Sequence, residues 1–172
     1  MRQVRAGDAR RLALLFERHH LPLYRYYVRM TGDPPGSEDL VQEVFCRMLK
    51  YKATYHDGAD FTTWMYGIAR NARHDQWRKL RREAPLDPDW DPSARADETL
   101  ERRQEIALLR RALLELPEEK REVLVLSRYQ GLKYEQMADL LGCEAGAVKV
   151  RVYRALRSLR EIYFELAGVK VL

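Results

Sequence analysis

Lys149, Arg151, Arg154, Arg157 and Arg160 lie within a stretch, Ala145 to Arg160, that contains no acidic residue. At about 100° per residue with Lys149 at zero, Arg160, Arg157, Arg154 and Arg151 fall near 20°, 80°, 140° and 200°. Val148, Val152, Ala155, Leu156, Leu159, Ile162 and Tyr163 fall between about 220° and 340°. Cations gathered on one face neutralise phosphates and hydrogen-bond base edges, while the apolar half must pack on a neighbour. A merely solvated helix face usually mixes both signs.

A second cationic run spans Arg70 to Arg82, where six Lys and Arg residues meet one acid, Asp75, with Asn71, His74 and Trp77 interleaved. Cations supply backbone attraction, Asn can read a base edge, and aromatic rings stack on unpaired bases. A cationic helix bearing Trp can also lie on a membrane. Here the opposite face, Phe61, Trp64, Met65, Ile68 and Ala69, continues a core pattern. Trp64 is expected in that core, and Trp77 stays open between core and stacking. A third group, Glu38, Asp39, Gln42 and Glu43, forms an acidic ridge opposite Leu40, Val41, Val44, Phe45, Met48 and Leu49. The sequence offers no nucleophile–base pair, metal-ligand cluster or phosphate-binding glycine loop, so catalysis, metal and cofactor are not expected. Cys46 and Cys143 lack metal or redox spacing and are expected as two buried thiols.

Helices must position these groups. Strand signals are weak throughout, and helical periodicity recurs from Leu12 onward. One segment carries Leu12, Leu15, Phe16 and His19, and a second runs from Pro22 to Met30, with Pro22 in its first turn. Thr31 to Gly36 (TGDPPG) breaks the pattern, and a helix over Ser37 to Lys50 follows. Asp60 is placed to cap the next helix. Near the C-terminus, Arg121 to Tyr129, Tyr134 to Leu141 and the cationic segment are punctuated by Gly131 and Gly142. That is the layout of a helix-turn-helix whose last helix enters a DNA groove. Lys133 and Glu144 stand where Ser or Thr caps would be expected, so the middle helix is expected to depend on packing.

Residues 1–82 hold 16 Lys and Arg against 9 Asp and Glu, residues 83–100 hold 1 against 6, and residues 101–172 hold 14 against 11. The acidic middle stretch, EAPLDPDWDPSARADETL, has three prolines and reads as a flexible linker. The fold class is therefore all-α: small helical domains at 1–82 and 101–172 joined by the linker 83–100, the second a helix-turn-helix. No run is apolar enough to span a membrane and MRQVRAGDARR is unlike a signal peptide, so a cytoplasmic protein without membrane insertion is expected.

The motifs SEDLVQEVFCRML, FTTWMYGIARNARHDQWRK and LPEEKREVLVLSRYQGLKYEQMADLLG…AVKVRVYRALRSLRE resemble, in order, the signatures of the extracytoplasmic-function (ECF) sigma factors, the two-domain bacterial members of the sigma-70 family. The resemblance implies a transcription initiation factor without enzymatic activity. Its first domain would dock on core RNA polymerase and open the −10 promoter element, and its second would read the −35 element. By the same likeness Glu38, Asp39, Gln42 and Glu43 would meet the polymerase clamp. Tyr55 and His56, in the loop Tyr51 to Asp60, would capture a flipped base. Asn71, Arg73, His74, Trp77 and Arg78 would contact the single-stranded −10 element. Lys149, Arg151, Arg154 and Arg157 would read the −35 duplex. Glu144 and Ala147 depart from the Ser and Thr often found at the start of the reader helix. Asp39 and Glu43 are present, so phosphorylation-dependent polymerase binding is not expected. The chain ends soon after the reader helix, so a separate anti-sigma factor, rather than an appended domain, is the expected control. The competing readings are a stand-alone helix-turn-helix regulator with an N-terminal dimerisation or sensing domain, and a DNA-processing recombinase. The acidic ridge separates the first of these from a sigma factor, and the recombinase lacks an evident catalytic Ser or Tyr.

Overall fold

The computed structural model describes residues 1–80 and 99–168, with backbone alone at 77–80, so most of the expected linker lies outside the described residues. All regular structure among the described residues is helical. Eight α-helices follow in order: α1 (Arg2–Arg5), α2 (Arg11–Thr31), α3 (Pro34–Lys50), α4 (Phe61–Leu80), α5 (Leu100–Glu115), α6 (Glu118–Leu124), α7 (Tyr134–Leu141) and α8 (Ala145–Leu166). A short 3-10 turn, Lys52–Thr54, follows α3, and a wide turn, Val125–Tyr129, extends α6.

Helices α2, α3 and α4 form the first bundle. Leu23, Tyr26, Tyr27, Met30, Leu40, Val44, Met48, Met65 and Ala69 are buried between them. The Tyr27 hydroxyl donates to the Ala69 carbonyl at 2.9 Å, so a polar group inside the apolar layer is satisfied. Contrary to the expected division at Pro22, α2 is one continuous helix with Pro22 inside it. Proline removes its own N–H bond, but Leu23, Tyr26 and Tyr27 just beyond it are fully buried, and their packing holds the axis together.

The TGDPPG break is a tight corner. Gly32 takes a left-handed φ of 72° and ends α2. Asp33 caps α3, accepting from the Gly36 N–H at 3.1 Å, with Pro34 and Pro35 in the first turn. Helix α3 therefore starts earlier than Ser37, because a proline in a first turn gives up a hydrogen bond the helix would not make. Asp60 caps α4 as expected, with the Thr63 N–H at 2.7 Å. Periodicity gives no sign of α1, which buries Val4 completely. Its Arg5 donates to the Tyr55 carbonyl and to Asp57 at 2.6 Å each, tying the chain start to the loop before α4.

Helices α5 to α8 form the second bundle around Leu113, Leu116, Leu124, Leu126, Met137, Val148, Val152 and Ala155. Gly131 (φ 68°) and Gly142 (φ 64°) make the two turns in the left-handed region, where a side chain would be strained. Helix α7 has a partial cap that its sequence does not announce. The Lys133 N–H donates to Gln136 Oε1 at 2.8 Å, although a lysine ammonium has no acceptor to complete a reciprocal box. Both cysteines are free; Cys143 is half-buried, but Cys46 is exposed on α3, against the expectation of two buried thiols. Leu49 and Leu156, expected on apolar faces, are also exposed at their edges.

The two bundles pack together, and their buried side chains form one continuous core. At the seam Tyr66 donates to Gln130 at 2.6 Å, and the Arg29 guanidinium lies 4.3 Å over the Tyr129 ring. Arg121 of α6 donates to the Met30 carbonyl at the end of α2, and to the Leu114 and Leu116 carbonyls of its own bundle. A cation against the last carbonyls of a helix is favoured by their partial negative charge.

Candidate nucleic-acid interface

Helix α8 is anchored by Val148, Val152 and Ala155, all buried, and by Leu159 and Ile162, which are partly buried. This fixes its rotation and turns the other half of the cylinder outward. Lys149, Arg151, Arg154 and Arg157 are all exposed on that half. Arg157 pairs with Glu161 one turn on, at 3.1 Å. Lys149, Arg151 and Arg154 have no ion pair among the described residues. The cationic face read from the sequence is therefore present and open. Val150 and Tyr153, which the charge pattern alone passes over, are exposed within it, at 47% and 69%. An apolar or aromatic residue interrupting a cationic periodicity is the available signal for them.

Helix α4 presents its cations differently. Asn71 and His74 are exposed, but Arg73 is only 3% exposed. Its guanidinium donates to Glu118 at 2.5 Å and to Glu122 at 3.0 Å, both on α6. Arg70 donates to both oxygens of Glu122 at 3.2 Å, and His74 Nε2 lies 3.4 Å from Glu118. Burial works against the Arg73 charge, but Tyr26 and the facing carboxylates of Glu122 and Glu118 together outweigh it and hold its pKa above the ordinary value. Beneath it, burial pushes the Tyr26 phenol up. In this arrangement Arg73, given a −10 contact by the resemblance, is covered by α6 and does not face solvent. Two carboxylates of α6 surround it. The side chains of Trp77 and Arg78 lie outside the described residues.

The loop before α4 also departs from expectation. His56 is exposed, whereas Tyr55 is 7% exposed, its ring edge-on to Phe61 and Trp64 at 6.2 and 5.3 Å. The Tyr55 hydroxyl donates to the Ala59 carbonyl at 3.1 Å, so the residue braces the loop instead of offering a stacking face. Trp64 is half-buried and donates from Nε1 to Thr54 at 3.1 Å, in keeping with the structural role expected of it. Between this loop, α3 and α4 lies an open cleft of about 700 Å³ lined by Arg47, Tyr51, Asn71, His74 and Asp75, with Glu118 closing one side.

Glu38, Asp39, Gln42 and Glu43 are exposed along α3, as the periodicity requires. Glu43 pairs with Arg47 at 2.6 Å, and Arg47 also reaches Asp75 of α4 at 2.7 Å. The ridge is thus tied to the α4 surface through one shared guanidinium. No cluster of His, Cys, Asp and Glu among the described residues has the form of a metal site. No described helix is long and apolar enough to cross a membrane.

Comparison with known proteins falls on the same two bundles. Residues 15–83 match the sigma-70 region 2 family, and residues 106–159 match sigma-70, region 4. The ECF RNA polymerase sigma factor SigL of Mycobacterium tuberculosis is 32% identical over 165 residues, covering 94% of this chain and 93% of the relative. The RNA polymerase sigma factor CarQ of Myxococcus xanthus is 31% identical over 173 residues, covering 96% and 97%. Among solved structures, the sigma factor RpoE in complex with the anti-sigma factor NepR from Bartonella quintana superposes with a TM-score of 0.72 at 24% identity, over 92% of this chain and 98% of that one. CnrH in complex with the cytosolic domain of CnrY gives the same score and identity, over 93% and 92%. These two likenesses concern the fold.

Proposed function

The chain belongs to the ECF RNA polymerase sigma factors of the sigma-70 family, and on that premise we propose that it recruits core RNA polymerase through α3 and guides it to promoters with α4 and α8. The observation that carries this reading is the presence, on one chain, of an exposed acidic ridge and an exposed cationic helix face on separate bundles. A DNA-binding regulator needs only the second. Glu38, Asp39, Gln42 and Glu43 supply a charge-complementary dock for a basic polymerase surface, where complementarity sets encounter rate and register. Helix α8 enters the major groove of the −35 duplex, with Lys149, Arg151, Arg154 and Arg157 facing its backbones and base edges. Asn71 and His74, with the exposed His56 of the preceding loop and Trp77 and Arg78 further along α4, meet the separated −10 strand. Helping that strand stay unpaired is the chain's part in melting.

Arg73 joins this surface only when α6 leaves it. Two states follow: the closed one seen here, and an open one in which the bundles separate and DNA phosphates replace Glu118 and Glu122. An anti-sigma partner that favours the closed state would act as an inhibitor by population shift. RpoE, which shares this fold, was solved with the anti-sigma factor NepR, and CnrH with the cytosolic domain of CnrY.

The test is transcription with purified core polymerase and a promoter library. Initiation at a defined −10/−35 pair, lost with Asp39→Ala/Glu43→Ala, supports the reading. Specific duplex binding without any polymerase binding overturns it in favour of a stand-alone regulator.

A further inference from the structure

On the wheel of α8, Gly146, Val150 and Tyr153 stand at i, i+4 and i+7 and share one narrow strip along the helix. Lys149 and Arg160 bound this strip on one side, and Arg154 and Arg151 bound it on the other. Arg157 follows the strip at its C-terminal end. An exposed line along the first turns of the helix is therefore apolar and aromatic, and the cations flank it. Tyr153 is 69% exposed and Val150 47%, and neither belongs to the core, so core packing does not account for their positions. Nor does packing require glycine at 146, where an added Cβ would meet no atom within 4 Å. Gly146 stands in the first turn of the helix and leaves the start of the strip without a side chain.

A helix with its side chains is about 10–12 Å across, which matches a major groove about 12 Å wide. Seated there, flanking cations face the two phosphate backbones, and the central strip faces base edges. Valine cannot pair with phosphate or hydrogen-bond a base. What it can contact in that groove is the thymine C5-methyl group, the one apolar mark on a base edge. Tyrosine adds a ring for the same contact and a hydroxyl for a base acceptor.

We propose that Val150 and Tyr153 carry the sequence choice of α8, selecting duplexes with thymine methyls in the major groove, while Lys149, Arg151 and Arg154 hold the backbones. This rests on the sigma-factor reading above and assigns the selectivity of that reading's −35 contact. The experiment uses holoenzyme assembled from core polymerase and the full chain. A promoter is selected from a library randomised upstream of a fixed −10 element. Each thymine of the selected upstream site is then replaced by deoxyuridine, which removes only the methyl. The expected result is a loss of about four-fold in affinity at the contacted position, the worth of one buried methyl. Val150→Ala, a change that keeps the helix, should lower affinity for the thymine duplex and bind both duplexes equally. Tyr153→Ala should do the same at a neighbouring position, and Arg154→Ala should weaken both duplexes by the same factor. If the holoenzyme initiates specifically but ignores deoxyuridine, or if Val150→Ala still discriminates, the inference falls and the sigma reading stands. If no upstream sequence is selected at all, both fall together.

Discussion

Helices α4 and α8 are both long, both cationic, and both buried along the opposite face, yet they present their charges in opposite ways. On α8, Lys149, Arg151 and Arg154 stand in solvent with no ion pair among the described residues. On α4, Arg73 is buried against Glu118 and Glu122, and Arg70 shares Glu122. Nothing about arginine distinguishes the two helices. The difference lies in what is packed over them. Helix α8 packs on α5, α6 and α7 along one face and leaves the other open, whereas α4 lies at the seam and is met by the acidic face of α6. A cationic helix face becomes an intramolecular ion-pair site when the chain supplies the carboxylates itself. Because a buried pair barely repays its desolvation, such a seam can be held and also released.

Removing the acids should break this contrast most. Glu118→Ala with Glu122→Ala leaves Arg73 buried without a carboxylate, a loss on the order of 3–5 kcal/mol. The chain can escape that loss by opening, so small-angle scattering should show a larger radius of gyration and urea a lower first midpoint. An unchanged radius would mean that the apolar part of the seam holds the bundles by itself. On the ridge, Asp39→Ala with Glu43→Ala should slow association with polymerase about ten-fold at low salt, since steering is electrostatic. The helical circular dichroism should be unaffected, because exposed pairs such as Glu43–Arg47 contribute little to stability.

A smaller effect is expected at the start of α4. Burial alone would raise the Asp60 pKa, but hydrogen bonds from Thr63, and one from Gln136 of α7, win and hold it below the ordinary value. A depressed carboxylate adds stability above its unfolded pKa, near 4, and loses it as pH falls through the folded one. Asp60→Ala should cost about 1 kcal/mol near neutrality, typical of a lost cap. It should also flatten the fall in melting temperature below about pH 4. The finest test compares the two cationic faces directly. Arg151→Ala should lower the salt slope of duplex binding by about one. Arg73→Gln should leave that slope unchanged in the closed chain, and an equal drop would show that Arg73 already reaches DNA.

Much of this molecule is legible in its residues. TGDPPG marks a corner, Asp60 a cap, Gly131 and Gly142 two turns, and the charge pattern of Ala145 to Arg160 an open cationic face. The acidic ridge of α3 is equally plain. Each of these depends on positions a few residues apart, where backbone geometry fixes which side chains share a face. The departures have another origin. Pro22 reads as a boundary because its local cost is large, and packing on both sides overrides it. Tyr55 and Arg73 take DNA-facing roles from the resemblance, and the contacts that cover them here are made by residues too far along the chain, or too irregularly placed, for periodicity to show.

Local patterns fix most of the helices, their corners and the faces that each one offers; α1 and the continuity of α2 through Pro22 are the exceptions. Only the tertiary structure decided which face is covered. Arg73 meets Glu118 and Glu122 across 45 and 49 residues, and Arg121 reaches the Met30 carbonyl across 91. Periodicity arranges side chains around one axis. Whether a charge on that axis meets water, DNA or a carboxylate depends on how the axes pack, and packing is set by the summed burial of both bundles.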